Sequence, residues 1–271
     1  MRNLCKLLRY LEQVVLHSSC VFYVPLLKEA YRLWDEIEQE SGTKLLHKTG
    51  VLYMGFPDGE AISGVKLASE THQLPYSSLT RSELAQQFPQ FTMPEGMVGA
   101  LEPEGGYLLS EHAVEAYAQA AQRHGGTLIT GEPVLDWSHD AHGVTVRTAS
   151  GMHTAAQLIF SAGAWSGPLL RLPQLQLTVT RQILGWVTPP DTAPFQRGEF
   201  PVWNIDPNGD SDLTGIYYGF PMSDDPGEGS GLKLAWHHPG QPMPPEAINA
   251  ETFPADEEEI RLPLRRYLPT A

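Results

Sequence analysis

Two neighbouring segments decide the fold: residues 215–221 read GIYYGFP, and residues 231–238 read GLKLAWHH. Both are rich in aromatic and aliphatic residues. The segment between them holds glycine, proline and acidic residues, a pattern typical of two strands joined as a hairpin. Because side chains alternate along a strand, Lys233 and His237 share one face of the second strand. The hairpin therefore predicts one face of a sheet on which both residues lie.

Lys233 stands between apolar residues on a strand that looks central in its sheet. Two interpretations stay open, a solvated lysine on the open face of an antiparallel sheet and a lysine in a functional cavity. Tyr217 and Tyr218 point to opposite faces, so only one of them can lie on the side of Lys233. His237 and His238 also point apart, so we expect no paired metal site there and no metal cofactor.

The rest of the chain mixes helices and strands. Strands predicted at 182–188 and 202–206 precede the hairpin and predict, with it, an antiparallel meander. A β-rich run at 157–161 predicts a further strand. Apolar residues at helical spacing predict helices at 25–40, at 110–124 with Ser110 as the N-cap, and at 257–267. This order favours a mixed fold, α+β or α/β, with two interleaved lobes.

The composition narrows the class of protein. The chain has 271 residues, of which 41% are hydrophobic, and a formal net charge of −14. A negative chain is poorly suited to nucleic acid or an anionic membrane, so we expect neither as a partner. No apolar run reaches the length of a membrane span, about 18 residues. Two cysteines, Cys5 and Cys20, are too few for a disulfide scaffold, which favours a cytoplasmic protein.

A second region with possible chemistry is the stretch 158–167, LIFSAGAWSG. It predicts a buried strand that ends at a turn of small residues and opens a short helix. Such a turn lets backbone N–H groups approach a phosphate, although ordinary strand-to-helix turns look the same. The run GEGSG at 227–231 fails the dinucleotide pattern G-x-G-x-x-G at its sixth position, Leu232, and precedes a strand. Neither a P-loop nor a G-x-S-x-G elbow is present in the sequence.

Taken together, these motifs resemble a known family, the monomeric sarcosine oxidase and N-methyltryptophan oxidase group of FAD-dependent amine and amino-acid oxidases. The matching stretches occur in the family's order and cover about Tyr23 to Pro269. They are Tyr23-Val24-Pro25 with Leu33-Trp34, Lys48-Thr49-Gly50-Val51-Leu52, Glu102-Pro103, Gly106, Ser110-Glu111, Ala162-Gly163-Ala164-Trp165, Arg181-Gln182, Ile216 to Pro221, and Gly231-Leu232-Lys233-Leu234 with His237.

The resemblance implies roles for particular residues. Lys233 matches the lysine beside the flavin, whose charge assists the reaction of the reduced flavin with oxygen, and His237 and Tyr218 match residues that position the amine. The residues that match the segments along FAD are Val134, Ser161, Ala162, Gly163 and Trp165. The implied reaction is hydride transfer from the carbon of a secondary amine to FAD, followed by reduction of O2 to hydrogen peroxide and hydrolysis of the imine. The expected partners are thus a small amine and O2.

Departures from the family are equally informative. Its members open with a strand, G-x-G-x-x-G and a helix, and neither this motif nor the arginines that receive the substrate carboxylate match any residue here. The cysteine that links covalently to the flavin has no match either. The resemblance therefore implies an internal fragment, with an incomplete Rossmann-like FAD lobe and a substrate lobe built on an antiparallel sheet. Three interpretations stay open: a chain of oxidase lineage that binds FAD poorly or not at all, a flavoprotein completed by a partner chain or using an altered site, and a non-catalytic binding module that keeps the substrate lobe.

The expected domain boundaries follow from the same resemblance. They are a partial FAD lobe at 23–46 and 105–172, a substrate lobe at 47–104 and 173–256, an N-terminal amphipathic segment outside the resemblance at 1–22, and a C-terminal helix at 257–271.

Overall fold

The computed structural model describes residues 21–170, 177–208, 210, 215–223, 231–238, 240–249 and 251–271. Its α-helices are α1 (Val24–Ser41), α2 (Glu60–His72), α3 (Arg81–Gln87), α4 (Ser110–Arg123), α5 (Ser166–Leu170) and α6 (Pro254–Tyr267). Its strands are β1 (Leu46–Lys48), β2 (Val51–Gly55), β3 (Ser77–Leu79), β4 (Val98–Glu102), β5 (Gly106–Leu108), β6 (Val134–Asp140), β7 (Gly143–Thr148), β8 (Met152–Ala155), β9 (Leu184–Val187), β10 (Val202–Ile205), β11 (Ile216–Phe220) and β12 (Leu232–His237).

Local sequence explains where the main helices begin and end. Pro25 lies in the first turn of α1, where its missing N–H costs nothing, and Gly42 ends the helix with a φ of 69° while donating its N–H to Glu38. Thr80 and Glu83 form a reciprocal capping box at the start of α3. The prediction of Ser110 as an N-cap is wrong: Ser110 is the first residue of α4, and its hydroxyl donates to the neighbouring Glu111 carboxylate.

The principal sheet joins strands from two distant parts of the chain. Its order is β3-β4-β2-β10-β11-β12-β9, and every neighbouring pair is antiparallel except β2 and β10. The predicted mixed class with an antiparallel sheet is therefore confirmed. The simple meander is wrong in one respect, because β9 pairs with the far edge of β12 and the place beside β10 is taken by β2.

The two faces of this sheet bury different cores. One face carries Trp203, Tyr217 and Leu234, which pack with Ile260 and Leu264 of α6. The other, called the Lys233 face below, carries Val51, Tyr53, Val202 and Phe220, which pack with Val65 and Ala68 of α2. The predicted C-terminal helix is thus present, and it covers the face opposite Lys233.

Two smaller sheets complete the described structure. Strands β1 and β5 pair, and buried residues of both strands pack with α1 and α4. Strands β6, β7 and β8 form an antiparallel sheet, called the small sheet below. The strand predicted at 157–161 is wrong: this segment is irregular, no described strand pairs with it, and Ile159 is 89% exposed.

Some predictions fall outside the described residues. The N-terminal amphipathic segment at 1–22 does so except for its last two residues, and so does the GEGSG loop except for its final glycine. No helix in the described part of the chain is both long and apolar enough to cross a membrane.

Candidate functional site

Lys233 lies in the middle of a row of side chains that crosses three strands. It stands opposite Phe220 on β11 and opposite Trp186 on β9. Its Nζ lies 5.5 Å from the centroid of the Phe220 ring and 5.4 Å from that of the Trp186 ring. The lysine is only 8% exposed. A solvated lysine on an open sheet face is therefore excluded, and the two rings hold the ammonium group at a fixed place.

Burial of this ammonium group has a cost that its neighbours reduce. Removing a cation from water costs several kcal/mol even after relaxation. An aromatic ring within about 6 Å returns about 0.5–2 kcal/mol through its electron-rich face. The rings of Trp186 and Phe220 both lie within that distance. Charge at such a buried position is screened less than it is in water.

Tyr218 and His237 share this face of the sheet. Tyr218 stands opposite Ala235, two residues along β12 from Lys233, and its ring packs edge-on against Phe220 at 5.9 Å. Of the tyrosine pair, Tyr218 is therefore the one on the side of Lys233. Tyr217 is fully buried on the other face and stacks on Trp236. His237 follows at the exposed end of β12, opposite Ile216.

The residues expected along FAD lie together in another part of the molecule. Val134 begins β6 and is 43% exposed. Ser161, Ala162, Gly163 and Trp165 form an irregular segment and a 3₁₀ turn. Two contacts hold this segment on the small sheet: the Trp137 ring packs against Phe160 at 4.9 Å, and the Trp137 indole donates to the carbonyl of Leu169.

The 3₁₀ turn at Gly163–Trp165 begins with a backbone conformation that favours glycine. Gly163 has a φ of 54°, in the left-handed region, and it is exposed, as is Ser161. The N–H of Trp165 donates back to the carbonyl of Ala162 over 3.1 Å. The structure thus assembles the predicted site residues as two groups, three on the Lys233 face and five beside the small sheet.

Sequence reasoning missed Trp186. It lies in the run LGWV at 184–187, which was predicted as a strand, but the pairing of β9 with β12 places its ring against Lys233. Alternation gives the face of each residue within its own strand only. A tryptophan on a strand of the same sheet was the available indication, and it does not identify the neighbouring strand.

A buried carboxyl lies on the same face at the opposite side of the sheet. Glu102 ends β4, stands opposite Val51 on β2 and is 3% exposed. Its Oε1 accepts the N–H of Glu104 over 2.9 Å. Burial raises the pKa of Glu102 to about 7, although this hydrogen bond and the nearby Gly105 N–H and Lys48 oppose the increase. Within the described chain, no group of three or more His, Cys, Asp or Glu side chains has the arrangement of a metal site.

Solved structures with this arrangement of sheets define the class of the fold. NikD, described as an unusual amino acid oxidase essential for nikkomycin biosynthesis, matches with a TM-score of 0.75 at 25% sequence identity, over 91% of this chain and 63% of NikD. Glycine oxidase from Geobacillus kaustophilus matches with a TM-score of 0.66 at 19% identity, over 93% of this chain and 66% of that protein. The fold is that of the FAD-dependent amino acid oxidases.

Sequence comparison gives the family. The pattern described as "FAD dependent oxidoreductase" (DAO) matches residues 4–270, and the chain belongs to this family. Monomeric sarcosine oxidase from Bacillus sp. (strain NS-129) is 33% identical over 92% of this chain and 63% of its own length. N-methyl-L-tryptophan oxidase from Yersinia pestis (strain Pestoides F) is 30% identical over 91% and 64%. The chain therefore spans less than two thirds of the curated relatives it matches.

The family match begins at residue 4, so it extends further toward the N-terminus than the motifs from Tyr23 onward. FAD is the cofactor of this family. Two features of the described chain suit it: the fixed ammonium group of Lys233 and the exposed backbone at Gly163. The ammonium group of Lys233 could stabilise negative charge on a flavin ring. A glycine such as Gly163 allows the backbone to approach a ligand closely.

Proposed function

We propose that the chain forms the substrate lobe and part of the cofactor lobe of an FAD-dependent oxidase that acts on a secondary amine such as an N-methyl amino acid. The observation that carries the proposal is Lys233, a buried cation between two aromatic rings on the face that also holds Tyr218 and His237. The 33% and 30% identity to a sarcosine oxidase and an N-methyltryptophan oxidase supports the same substrate class. We further infer a cytoplasmic protein, from its low cysteine content.

The division into lobes follows the strands. Strands β2, β3 and β4 fall within 47–104, and β9 to β12 fall within 173–256, and together they form the principal sheet. These ranges are proposed as the substrate lobe. The ranges 23–46 and 105–172, which include α1, α4 and the small sheet, are proposed as the part of the cofactor lobe that the chain supplies.

FAD, when bound, supplies a ring that accepts a hydride from the carbon beside the amine nitrogen and passes the electrons to O2, which leaves as hydrogen peroxide. Lys233 keeps a positive charge where negative charge develops, and the rings of Trp186 and Phe220 fix its position beforehand. A charge that is already oriented needs no reorganisation during the reaction, which is why such groups contribute strongly to rate.

Tyr218 and His237 would act on the substrate. The edge-on contact with Phe220 restricts the orientation of the Tyr218 ring, so its hydroxyl has a preferred direction. His237 lies at the exposed end of the same face, where a side chain can cover an amine that enters from solvent. Val134, Ser161, Ala162, Gly163 and Trp165 are proposed to contact FAD, mainly through backbone.

The test begins with cofactor binding. The purified chain is incubated with FAD, dialysed and examined for the visible absorbance of bound flavin. Peroxide production is then measured with sarcosine and N-methyltryptophan, with glycine as the primary-amine control. Retained flavin and peroxide from the N-methyl substrates support the proposal, whereas retained flavin without peroxide from any of them contradicts it.

Lys233→Met tests the role of the cation in the loaded protein. Stopped flow separates reduction of the flavin by substrate from its reoxidation by O2. We expect reoxidation to slow on the order of 10²-fold, the usual effect of removing one oriented electrostatic group, with little change in reduction. Lys66→Met, on the exposed side of α2, is the matched control. Equal slowing of both half-reactions by Lys233→Met would exclude the oxygen-directed role.

A second candidate function is a non-catalytic binding module. It is favoured by the irregular segment 156–162, where Ile159 is 89% exposed, and by the exposed Val134 and Leu135 of β6. A dinucleotide is normally held by a glycine-rich turn between a strand and a helix, and the sequence contains no G-x-G-x-x-G. A colourless protein that retains no added FAD, but still binds an N-methyl amino acid in calorimetry, would favour this candidate over the oxidase.

A further inference from the structure

Strand β12 ends in two adjacent histidines that lie on opposite faces of the principal sheet. His237 is exposed on the Lys233 face, where the proposed function has it cover the amine. The side chain of His238 is 22% exposed and lies on the face that α6 covers. Its ring centroid is 4.1 Å from that of Trp236, which itself stacks on Tyr217. His238 is therefore the last member of a stack of three rings.

Contacts from two other parts of the chain hold the same residue. The Nε2 of His238 lies 3.2 Å from the Oε1 of Glu259, in the middle of α6. Because an ionised carboxylate only accepts hydrogen bonds, this contact requires the proton on Nε2. On the backbone side, the Gln182 amide donates to the carbonyl of His238 over 3.2 Å. Helix α6 and the segment before β9 therefore both fix the end of β12.

Helix α6 is itself held at both ends. Arg181 makes two 2.7 Å contacts with the carboxylate of Asp256 in its first turn. In its last turn, the hydroxyl of Tyr267 donates to Asp210 over 2.9 Å. A contact with α6 therefore ties the end of β12 to a fixed support. His237 depends on such support, because it is the last residue of the strand and its side chain is exposed.

We propose that His238 is a positioning residue for the amine site: its contact with Glu259 fixes the end of β12 and thereby the ring of His237 on the opposite face. The inference rests on the proposed function, in which His237 contacts the amine. The end of a strand opens more readily than its centre, because fewer contacts hold it. When this end is fixed beforehand, binding of the amine loses less side-chain entropy, and the affinity is higher.

Stopped flow on the FAD-loaded chain tests the effect on the amine. Flavin reduction at increasing sarcosine concentration separates the apparent dissociation constant from the limiting rate. His238→Leu should raise the constant about threefold to tenfold, the effect of ordering one side chain, and change the limiting rate less than about twofold. Glu259→Leu should do the same from the other side of the contact. An unchanged constant in both leucine variants overturns the proposal.

A conservative variant separates the hydrogen bond from the ring packing. The Nε2 of His238→Gln can still donate to Glu259, but the variant has no ring to stack on Trp236. It should therefore restore the dissociation constant of the parent. A constant as high as that of His238→Leu would assign the effect to the lost ring and overturn the role of the hydrogen bond.

A second measurement needs neither FAD nor activity, so it separates failure of this proposal from failure of the proposed function. The Cε1–H NMR signal of His237 in the full chain is assigned by its loss in His237→Ala. His238→Leu and Glu259→Leu should shift or broaden this signal, and His238→Gln should return it toward its parent position. The exposed His142→Leu is the control and should leave it unchanged. An unaltered signal in both leucine variants overturns the positioning role, whereas a shifted signal in a protein that makes no peroxide contradicts the proposed function alone.

Discussion

Replacement of Glu102 by glutamine should change how the stability of the protein depends on pH. The Glu102 carboxyl is 3% exposed on the Lys233 face, and burial raises its pKa from 4.5 to about 7. The folded protein therefore holds the proton more tightly than the unfolded chain does. The stability that Glu102 contributes is highest below about pH 4.5 and falls as the pH rises to about 7, because the folded state must then either bury a charge or keep a proton that the unfolded state releases.

The size of the effect follows from the two pKa values. Each pKa unit is worth about 1.4 kcal/mol, so the gap between 4.5 and about 7 corresponds to about 3 kcal/mol. Glu102→Gln has nearly the same shape and no proton to lose. Its amide oxygen can still accept the N–H of Glu104. Relative to the parent, the variant should thus gain about 3 kcal/mol in free energy of unfolding between about pH 4.5 and about pH 8.

Urea unfolding followed by tryptophan fluorescence measures this difference at several pH values. The difference between parent and variant removes the contributions of all other titrating groups, provided the variant leaves them unchanged. Glu95→Gln, at an exposed carboxylate, is the matched control for the loss of one negative charge. A difference for Glu102→Gln that does not change with pH would refute the reasoning, because it would mean that the carboxyl has the same proton affinity in the folded and unfolded chain.

Three further variants probe the packing, each measured by urea unfolding. Arg181→Met should cost about 3 kcal/mol, because Arg181 makes two 2.7 Å contacts with the Asp256 carboxylate and its loss leaves that charge poorly compensated. Gly219→Ala should cost about 1–3 kcal/mol, since a Cβ there would lie 2.5 Å from the Trp203 ring. Thr80→Ala should cost about 1 kcal/mol through loss of the capping box. An unchanged unfolding midpoint in any of the three contradicts the contact assigned to that residue.

The faces of β12 could be predicted from sequence because they depend only on neighbours along one strand. Alternation placed Lys233 and His237 on one side, and the structure has them there. The choice between Tyr217 and Tyr218 needed the register of the hairpin, which a connection of eleven residues leaves undetermined. The position of Trp186 against Lys233 needed the order of strands as well. The sequence therefore predicts which residues of one strand share a face, but it does not predict which residues of neighbouring strands lie opposite each other.

The predictions that were wrong concern residues whose secondary structure depends on contacts with distant parts of the chain. The run at 157–161 has the composition of a strand, but a strand forms only where another strand accepts its hydrogen bonds, and no described strand does so there. Ser110 has the side chain of an N-cap, yet Leu109 occupies that position, and the N–H of Leu109 donates to the carbonyl of Leu45. In each case the structure adopted differs from the one that the local sequence favours.

The parallel pair of β2 and β10 has a consequence for how the protein reaches its folded state. Val51 pairs with Val202, about 150 residues later in the chain, and both are fully buried. During synthesis, β2 and β4 can pair early, but one long edge of β2 stays open until β10 has left the ribosome. Contacts of such long sequence separation slow folding, and an open hydrophobic edge invites association with other chains. The pairing of β2 with β10, which brings Lys233 and Glu102 into one sheet, therefore also closes an edge to which other chains could otherwise add.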